Sequence, residues 1–356
     1  MTGTANAFEA AAAAVGELDE GTGRAAAEHH DRLTKPRGSL GRVEAIGVRL
    51  AAITGACPPP VPVPAAVAVF AGDHGVLAEG VTPWPQDVTA QMVQNFVAGG
   101  AAINVLARQA GARVIVVDVG VATELDAAPR LTREKVRAGT GNIAREPAMT
   151  VAEARRALDV GAAVAARLVD DGAACLVTGD MGIGNTTPSA ALVAAFTGRA
   201  AREVTGRGTG IDDPTLARKV AAVDAALART PDRDDPVAVL ASLGGLEIAA
   251  LTGFVVGGAA ARVPVLVDGV IAGAALLAAT KLVPGAVHFC FAGHRSTEPA
   301  ARVILDTLGL EPILDLELRL GEGSGACLAL PVLEAAARIL GEMATFDAAG
   351  VTDKPD

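Results

Sequence analysis

The feature that most limits what this chain can fold into is an alternation. Short apolar, β-branched runs at 65–70, 113–119, 174–178, 263–267 and 287–291 are separated by longer Ala-rich stretches, and a weaker sixth run lies near 313–318. Most of these runs are apolar throughout rather than alternating, the pattern of strands covered on both faces. The spacing predicts helices over 87–97, 151–169, 186–196, 214–227 and 300–308, with a last helix over 326–343. Strands and helices in this order predict an α/β fold built on an open parallel sheet flanked by helices. Aromatic residues are only 3% of the chain, with no Tyr and one Trp, so Ala, Val, Leu and Ile must fill the interior.

Ahead of the first strand, helical faces run over 10–15, 25–33 and 43–53, and a Pro-rich link at 58–64 separates them from the rest. A domain boundary is therefore expected at that link. The formal charge, 30 − 40 = −10, argues against a nucleic-acid surface, which needs clustered Lys and Arg. It leaves room for a small phosphate ligand held by backbone N–H groups. Cys57, Cys175, Cys290 and Cys327 are far apart and form no CxxC pair, so no metal site is expected. Cys175 and Cys290 lie in apolar runs and read as buried thiols of a reducing compartment. The first residues carry acids and no basic segment, unlike a signal peptide. The most apolar stretch, 248–280, is interrupted by Arg262, Pro264 and Asp268, leaving pieces too short to span a bilayer. A cytoplasmic protein without a membrane span is expected.

In open parallel sheets, ligands bind beyond the carboxyl ends of the strands. Gly-rich polar segments follow three of the expected strands: Ala71-Gly72-Asp73-His74-Gly75, Gly179 to Thr187, and Gly293 to Glu298. In the second of these, glycines would let N–H groups approach an anion, and Thr186 opens a helix whose positive end favours phosphate. An ordinary turn capped by Asn185 or Thr186 has the same look. Gly206-Arg207-Gly208-Thr209-Gly210 precedes a helix carrying Lys219, either a phosphate contact or a solvated side chain beyond a cap at Asp212 or Asp213. Glu322, between Gly321 and Gly323 at a helix entrance, is either a general base or a surface carboxylate. The same loop fits GxGxxA, a dinucleotide fingerprint, but no convincing strand follows it. Lys35-Pro36-Arg37-Gly38-Ser39-Leu40-Gly41-Arg42 is a cationic loop or a turn capped by Ser39. Trp84, in a Pro-rich loop, is placed to stack on a flat ring or to plug the loop. His74 and His294 fit no hydrolase elbow or metal spacing.

Taken in order, these segments resemble the nicotinate-nucleotide–dimethylbenzimidazole phosphoribosyltransferase family of cobalamin assembly. The resemblance runs through KPRGSLGRVE from Lys35, AGDHGV from Ala71, VTAQMVQNFVAGGAAINVLARQAGA from Val88 and GTGNIAREPAMT from Gly139. It continues with GDMGIGNTTPSAAL from Gly179, GTGIDDPTLARK ending at Lys219 and the segment from Leu243 to Gly269. It closes with GHRSTEP from Gly293 and LRLGEGSGACLALPVLEAAARIL from Leu318. It implies transfer of phosphoribose from nicotinate mononucleotide to 5,6-dimethylbenzimidazole, with inversion at C1′ and no cofactor or metal. By the same resemblance Glu322 is the catalytic base. Asp180, Met181, Gly182, Ile183, Gly184, Asn185, Thr186, Lys219, Ser296 and Arg319 hold the donor, and Trp84 and Met92 flank the acceptor with Glu322. Many relatives carry Glu where this chain has Asp180, and the acceptor-facing loop varies among them, so benzimidazole, adenine and phenols stand beside dimethylbenzimidazole as acceptors. The family fold is Rossmann-like with a small helical domain from both chain ends, here 1–59 with 326–356, and the family works as a homodimer. The competing readings are an NAD-linked dehydrogenase using the GxGxxA loop and a non-catalytic binder of benzimidazoles or nucleotides.

Overall fold

The structure is a computed structural model that describes residues 6–230 and 232–353. The first five residues and 354–356 of the expected helical unit lie outside the described residues.

Six strands form one sheet: β1 (Ala65–Gly72), β2 (Arg113–Gly120), β3 (Leu131–Arg133), β4 (Cys175–Met181), β5 (Val265–Val267) and β6 (Cys290–Ala292). Every pairing is parallel, in the order β3-β2-β1-β4-β5-β6. This is the doubly wound Rossmann order, whose direction reverses between β1 and β4. All eight residues of β1 are buried, as its unbroken apolar run requires.

The helices are α1 (Ala7–Ala14), α2 (Glu20–Arg32), α3 (Arg42–Thr54), α4 (Asp87–Ala98), α5 (Ala102–Gln109), α6 (Val151–Asp170), α7 (Thr186–Thr197) and α8 (Ala201–Val204). They continue with α9 (Asp213–Arg229), α10 (Pro236–Leu243), α11 (Leu246–Ala260), α12 (Val270–Leu282), α13 (Pro299–Leu308), α14 (Ser324–Glu342) and α15 (Phe346–Ala349). The shortage of aromatic residues has a structural counterpart in how α6 meets α11. A Cβ at Gly161 would overlap the Ala250 carbonyl, and one at Gly253 would overlap the Leu158 carbonyl. The two helices therefore cross nearly backbone to backbone. One edge-to-face aromatic pair, Phe70 with Phe254 at 5.4 Å, joins the sheet to α11.

Three expectations about the elements need correction. The run at 313–318 forms no strand; only Leu314 bridges to His294. The run at 287–291 begins as a 3₁₀ turn (Pro284–Phe289), and strand pairing starts at Cys290. The remaining strand, β3, is a three-residue edge with no buried position. Such a strand lacks the inward side chains that make a hydrophobic pattern. The stretch 248–280 contains α11, β5 and α12, and both helices are buried nearly all round, so they show no amphipathic period.

At the chain ends, α2 packs on α3, and α14 packs on both. Ala26, Ala51 and Leu340 form a small cluster of their own there. In contrast, α1 lies against α6 and α11. Among the described residues, α14 is the one helix that meets a length and hydropathy criterion for a span. Its apolar face is used on α3, α5, β4 and β5.

Candidate active site

A cleft of about 410 Å³ opens beyond the carboxyl ends of the strands. Met181, the end of β4, lines it at the edge where the strand order reverses. That is where this sheet geometry leaves a crevice, because neighbouring connections depart to opposite faces. Every residue expected in the site lines this one cleft: Asp180 to Thr186, Lys219, Ser296, Arg319, Glu322, Trp84 and Met92. They come from five separate stretches of sequence.

The Gly179–Thr187 segment is built as anticipated, with one difference. Asn185 takes the N-cap position of α7, yet its side chain makes no cap bond. Its Nδ2 instead donates to Asp180 Oδ2 at 2.9 Å. In the first turn of α7 the Thr187 N–H is taken by the Gly184 carbonyl at 3.0 Å and Pro188 has none, so it is Thr186 whose N–H is left without a side-chain cap at the cleft. Gly184 has φ +89°, a backbone conformation that suits glycine. The Ile183 N–H is taken by Thr89 Oγ1 at 3.1 Å, which ties the loop to α4.

Lys219 is not solvated. It is 2% exposed and donates to Thr186 Oγ1 at 2.8 Å and to the Gly206 carbonyl at 2.9 Å. Burial pulls its pKa down to about 8, with the Glu298 carboxylate acting in the opposite sense. Asp212 caps α9 by accepting the Thr215 N–H, so that structural reading is correct for Asp212 and not for Lys219. The 206–210 loop is clamped over the cleft: Glu298 Oε1 accepts the Gly208 N–H at 2.7 Å, and Arg319 Nη1 donates to the Gly208 carbonyl at 3.0 Å. Across the mouth, Trp84 is half exposed, and its Nε1 donates to Thr209 Oγ1 at 3.2 Å.

Glu322 is 6% exposed and not a surface carboxylate. Its backbone is left-handed, φ +65°, between Gly321 at +84° and Gly323 at +89°. For a non-glycine residue that conformation costs of the order of 1–2 kcal/mol, so the surrounding contacts must enforce it. A Cβ at Gly323 would lie 2.8 Å from the Thr178 carbonyl, and one at Gly179 would lie 2.7 Å from the Glu322 carbonyl. The turn is thereby pressed onto the end of β4. Its carboxylate accepts the Ile103 N–H at 3.3 Å. Burial lifts the Glu322 carboxyl above the ordinary carboxylate value; the Ile103 N–H opposes this and the Asp268 charge adds to it. Burial also pushes Asp180 well above that value, helped by the charge of Asp268.

Reasoning from the sequence missed several residues. Asp268 follows β5 and was visible only as an interruption in an apolar stretch. It accepts the Ala326 N–H at 2.9 Å and the Gly323 N–H at 3.3 Å, and pairs with His294 Nε2 at 3.3 Å. His74 and Glu247 form a wholly buried pair at 2.9 Å below Gly182. Although burial works against a charged ring, the Glu247 carboxylate holds the His74 imidazole above its ordinary value. Residues 35–42 contribute nothing to the cleft lining. Lys35 pairs with Glu44 at 2.9 Å, and Gly41 rather than Ser39 occupies the N-cap of α3. The GxGxxA loop leads into α14, and no strand follows it among the described residues, so it is not part of a βαβ unit. Among the described residues, no three His, Cys, Asp or Glu side chains are grouped to hold a metal.

A family model described as phosphoribosyltransferase (DBI_PRT) matches residues 15–351. The nicotinate-nucleotide–dimethylbenzimidazole phosphoribosyltransferase of Salinispora tropica is 57% identical over 362 residues, covering 98% of this chain and 100% of the relative. The chain belongs to the nicotinate-nucleotide–dimethylbenzimidazole phosphoribosyltransferase family. The enzyme of that name from Chloroflexus aurantiacus is 53% identical over 341 residues, with 96% of this chain and 97% of the relative covered. A crystal structure of the Thermus thermophilus enzyme superposes with a TM-score of 0.91 at 48% identity, covering 95% of this chain and 100% of that one. The protein is an enzyme that transfers phosphoribose.

Proposed function

We propose that this enzyme transfers phosphoribose from nicotinate mononucleotide to 5,6-dimethylbenzimidazole, giving nicotinate and α-ribazole 5′-phosphate. The observation that carries the reading is the buried Glu322 carboxylate, raised above its ordinary pKa, on the same cleft as Lys219 and the N-terminus of α7. The names of the relatives supply the substrates.

In this reading the donor phosphate and ribose lie against Asp180 to Thr186, with Lys219, Ser296 and Arg319 completing the hold. The bond between C1′ and the pyridinium nitrogen breaks, and its electron pair stays with nitrogen, so nicotinate leaves neutral at the ring without needing a proton. One acceptor nitrogen bonds to C1′ from the opposite face, which inverts the configuration from β to α. The proton on the other acceptor nitrogen passes to Glu322. A base works best with a pKa near the working pH, and the burial of Glu322 moves it in that direction. Trp84 and Met92 flank the acceptor ring in the open half of the cleft.

Helices α2, α3 and α14, with their separate apolar cluster, support a small unit from residues 1–59 and 326–356 beside an α/β unit over 60–325. We further expect a cytoplasmic homodimer without a membrane span, which light scattering and fractionation test. The reaction is tested by chromatography of the protein with both substrates: stoichiometric nicotinate and ribazole phosphate support it, and no release from folded protein overturns it. Glu322→Gln should lose most of its turnover, about 10²-fold or more, and keep donor binding. A panel of benzimidazole, adenine and phenol reports the acceptor preference.

A further inference from the structure

We propose that Asp268, braced by His294, is a positioning residue that holds Glu322 in its working conformation. The inference rests on the reading of Glu322 as the base.

Glu322 occupies a backbone conformation that its own side chain disfavours, so some other group must hold the turn. Within the turn, Ser324 Oγ donates to the Gly321 carbonyl at 2.6 Å, and from outside it the buried Asp268 side chain grips the C-terminal side. Asp268 Oδ2 takes the N–H of Gly323, next to Glu322, and Oδ1 takes the N–H of Ala326 in the first turn of α14. Gly323, the N-cap residue of α14, provides no side-chain cap. Asp268 therefore caps α14 from 55 and 58 residues away in sequence, fixing the helix and the turn together.

Asp268 is itself held from two sides. Its backbone N–H donates to Thr178 Oγ1 at 3.0 Å, on β4. His294 Nε2 lies 3.3 Å from Oδ1, and both side chains are buried, at 3% and 0% exposure. A Cβ at Gly325 would overlap the His294 ring, so the ring also forms the floor on which the turn rests. The turn is thus tied to β4, to β5 through Asp268 and to β6 through His294. Misplacing a base by about 1 Å costs ~10²-fold in rate, so this bracing carries a measurable share of catalysis.

The test is a double-mutant cycle on the intact enzyme, using nicotinate mononucleotide and dimethylbenzimidazole. Asp268→Asn keeps the shape but can no longer accept both N–H groups. Its kcat should fall ~10- to 100-fold, with the donor KM within about 3-fold of the wild type. In the Glu322→Gln background, measured over long single turnovers, the same change should cost less than about 3-fold, because the base it positions is gone. An equal loss in both backgrounds overturns the proposal, since Asp268 would then act through something other than Glu322. An unchanged kcat in Asp268→Asn also overturns it. Should Asp268→Asn lose donor-induced thermal stabilisation, His294→Gln carries the test: a loss of a few-fold confined to the Glu322 background supports the proposal, and an equal loss in both refutes it. Wild-type protein that makes no ribazole phosphate refutes the reaction reading itself, a separate result.

Discussion

Replacing Lys219 with Met tests whether a cation was buried for the donor or for the fold. The ammonium is 2% exposed, and its pKa has fallen from 10.5 to about 8, so burying the charge costs the folded state ~3 kcal/mol at neutral pH. Methionine of similar length removes that cost. It also removes the bonds to Thr186 Oγ1 and the Gly206 carbonyl, and an unsatisfied carbonyl costs about 1–3 kcal/mol. The two nearly cancel, so Tm should move by no more than a few degrees. In the proposed donor site the substrate would lose a charge-assisted bond worth ~1.5–3 kcal/mol, and kcat/KM for nicotinate mononucleotide should fall ~10- to 100-fold. The sign with pH is fixed. A lysine whose folded pKa lies below its unfolded value makes the protein gain stability as pH rises from about 8 to 10.5. Wild-type kcat/KM for the donor, which reports the free enzyme, should fall as pH passes about 8. Lys219→Met should lack both effects. Initial rates by chromatography and thermal melts from pH 6.5 to 9.5 measure them. Undiminished kcat/KM for Lys219→Met would refute the donor contact, and a Tm drop above ~10 °C would show that the lysine serves the fold.

Other expected outcomes concern the acceptor, the base and the packing. Trp84→Ala removes a half-exposed ring whose one polar bond is to Thr209, so it should raise the acceptor KM more than the donor KM and change stability by less than about 1 kcal/mol. Activity should fall on the acid side at a pH above that of an ordinary Glu, because Glu322 gains its proton early; a pH–rate profile without that limb in Glu322→Gln checks it. Gly161→Ala forces a methyl into the Ala250 carbonyl across the α6–α11 contact and should cost ~3 kcal/mol or more, read as a lowered denaturation midpoint.

Much of the fold was legible because the central strands and amphipathic helices carry local patterns. β1 and β4 are apolar runs of fixed length, and α6, α9 and α13 begin and end close to their expected bounds. Where the pattern failed, the reason was specific. β3 is short and has no buried side, and α11 and α12 are buried nearly all round, so neither case produces a period. Of the three Gly-rich polar loops expected at the site, those after β4 and β6 line the cleft, whereas Ala71–Gly75 after β1 does not and Gly269–Ile271 after β5 takes part instead. Local pattern left the meaning of Lys219 and Glu322 open between site and surface groups, and only the ordered resemblance pointed to the site, because burial is not a property of a seven-residue window.

The sequence by itself determined the parallel α/β class and the family, since each depends on local patterns or on ordered motifs. Tertiary structure alone decided which charges are stripped of water and what restrains them. Lys219 is buried between α7 and the 206–210 loop, and Asp268 reaches a turn 55 residues onward. Desolvation and capping across the sheet depend on what the folded chain brings within a few ångströms, and residues far apart in sequence carry no local mark of that.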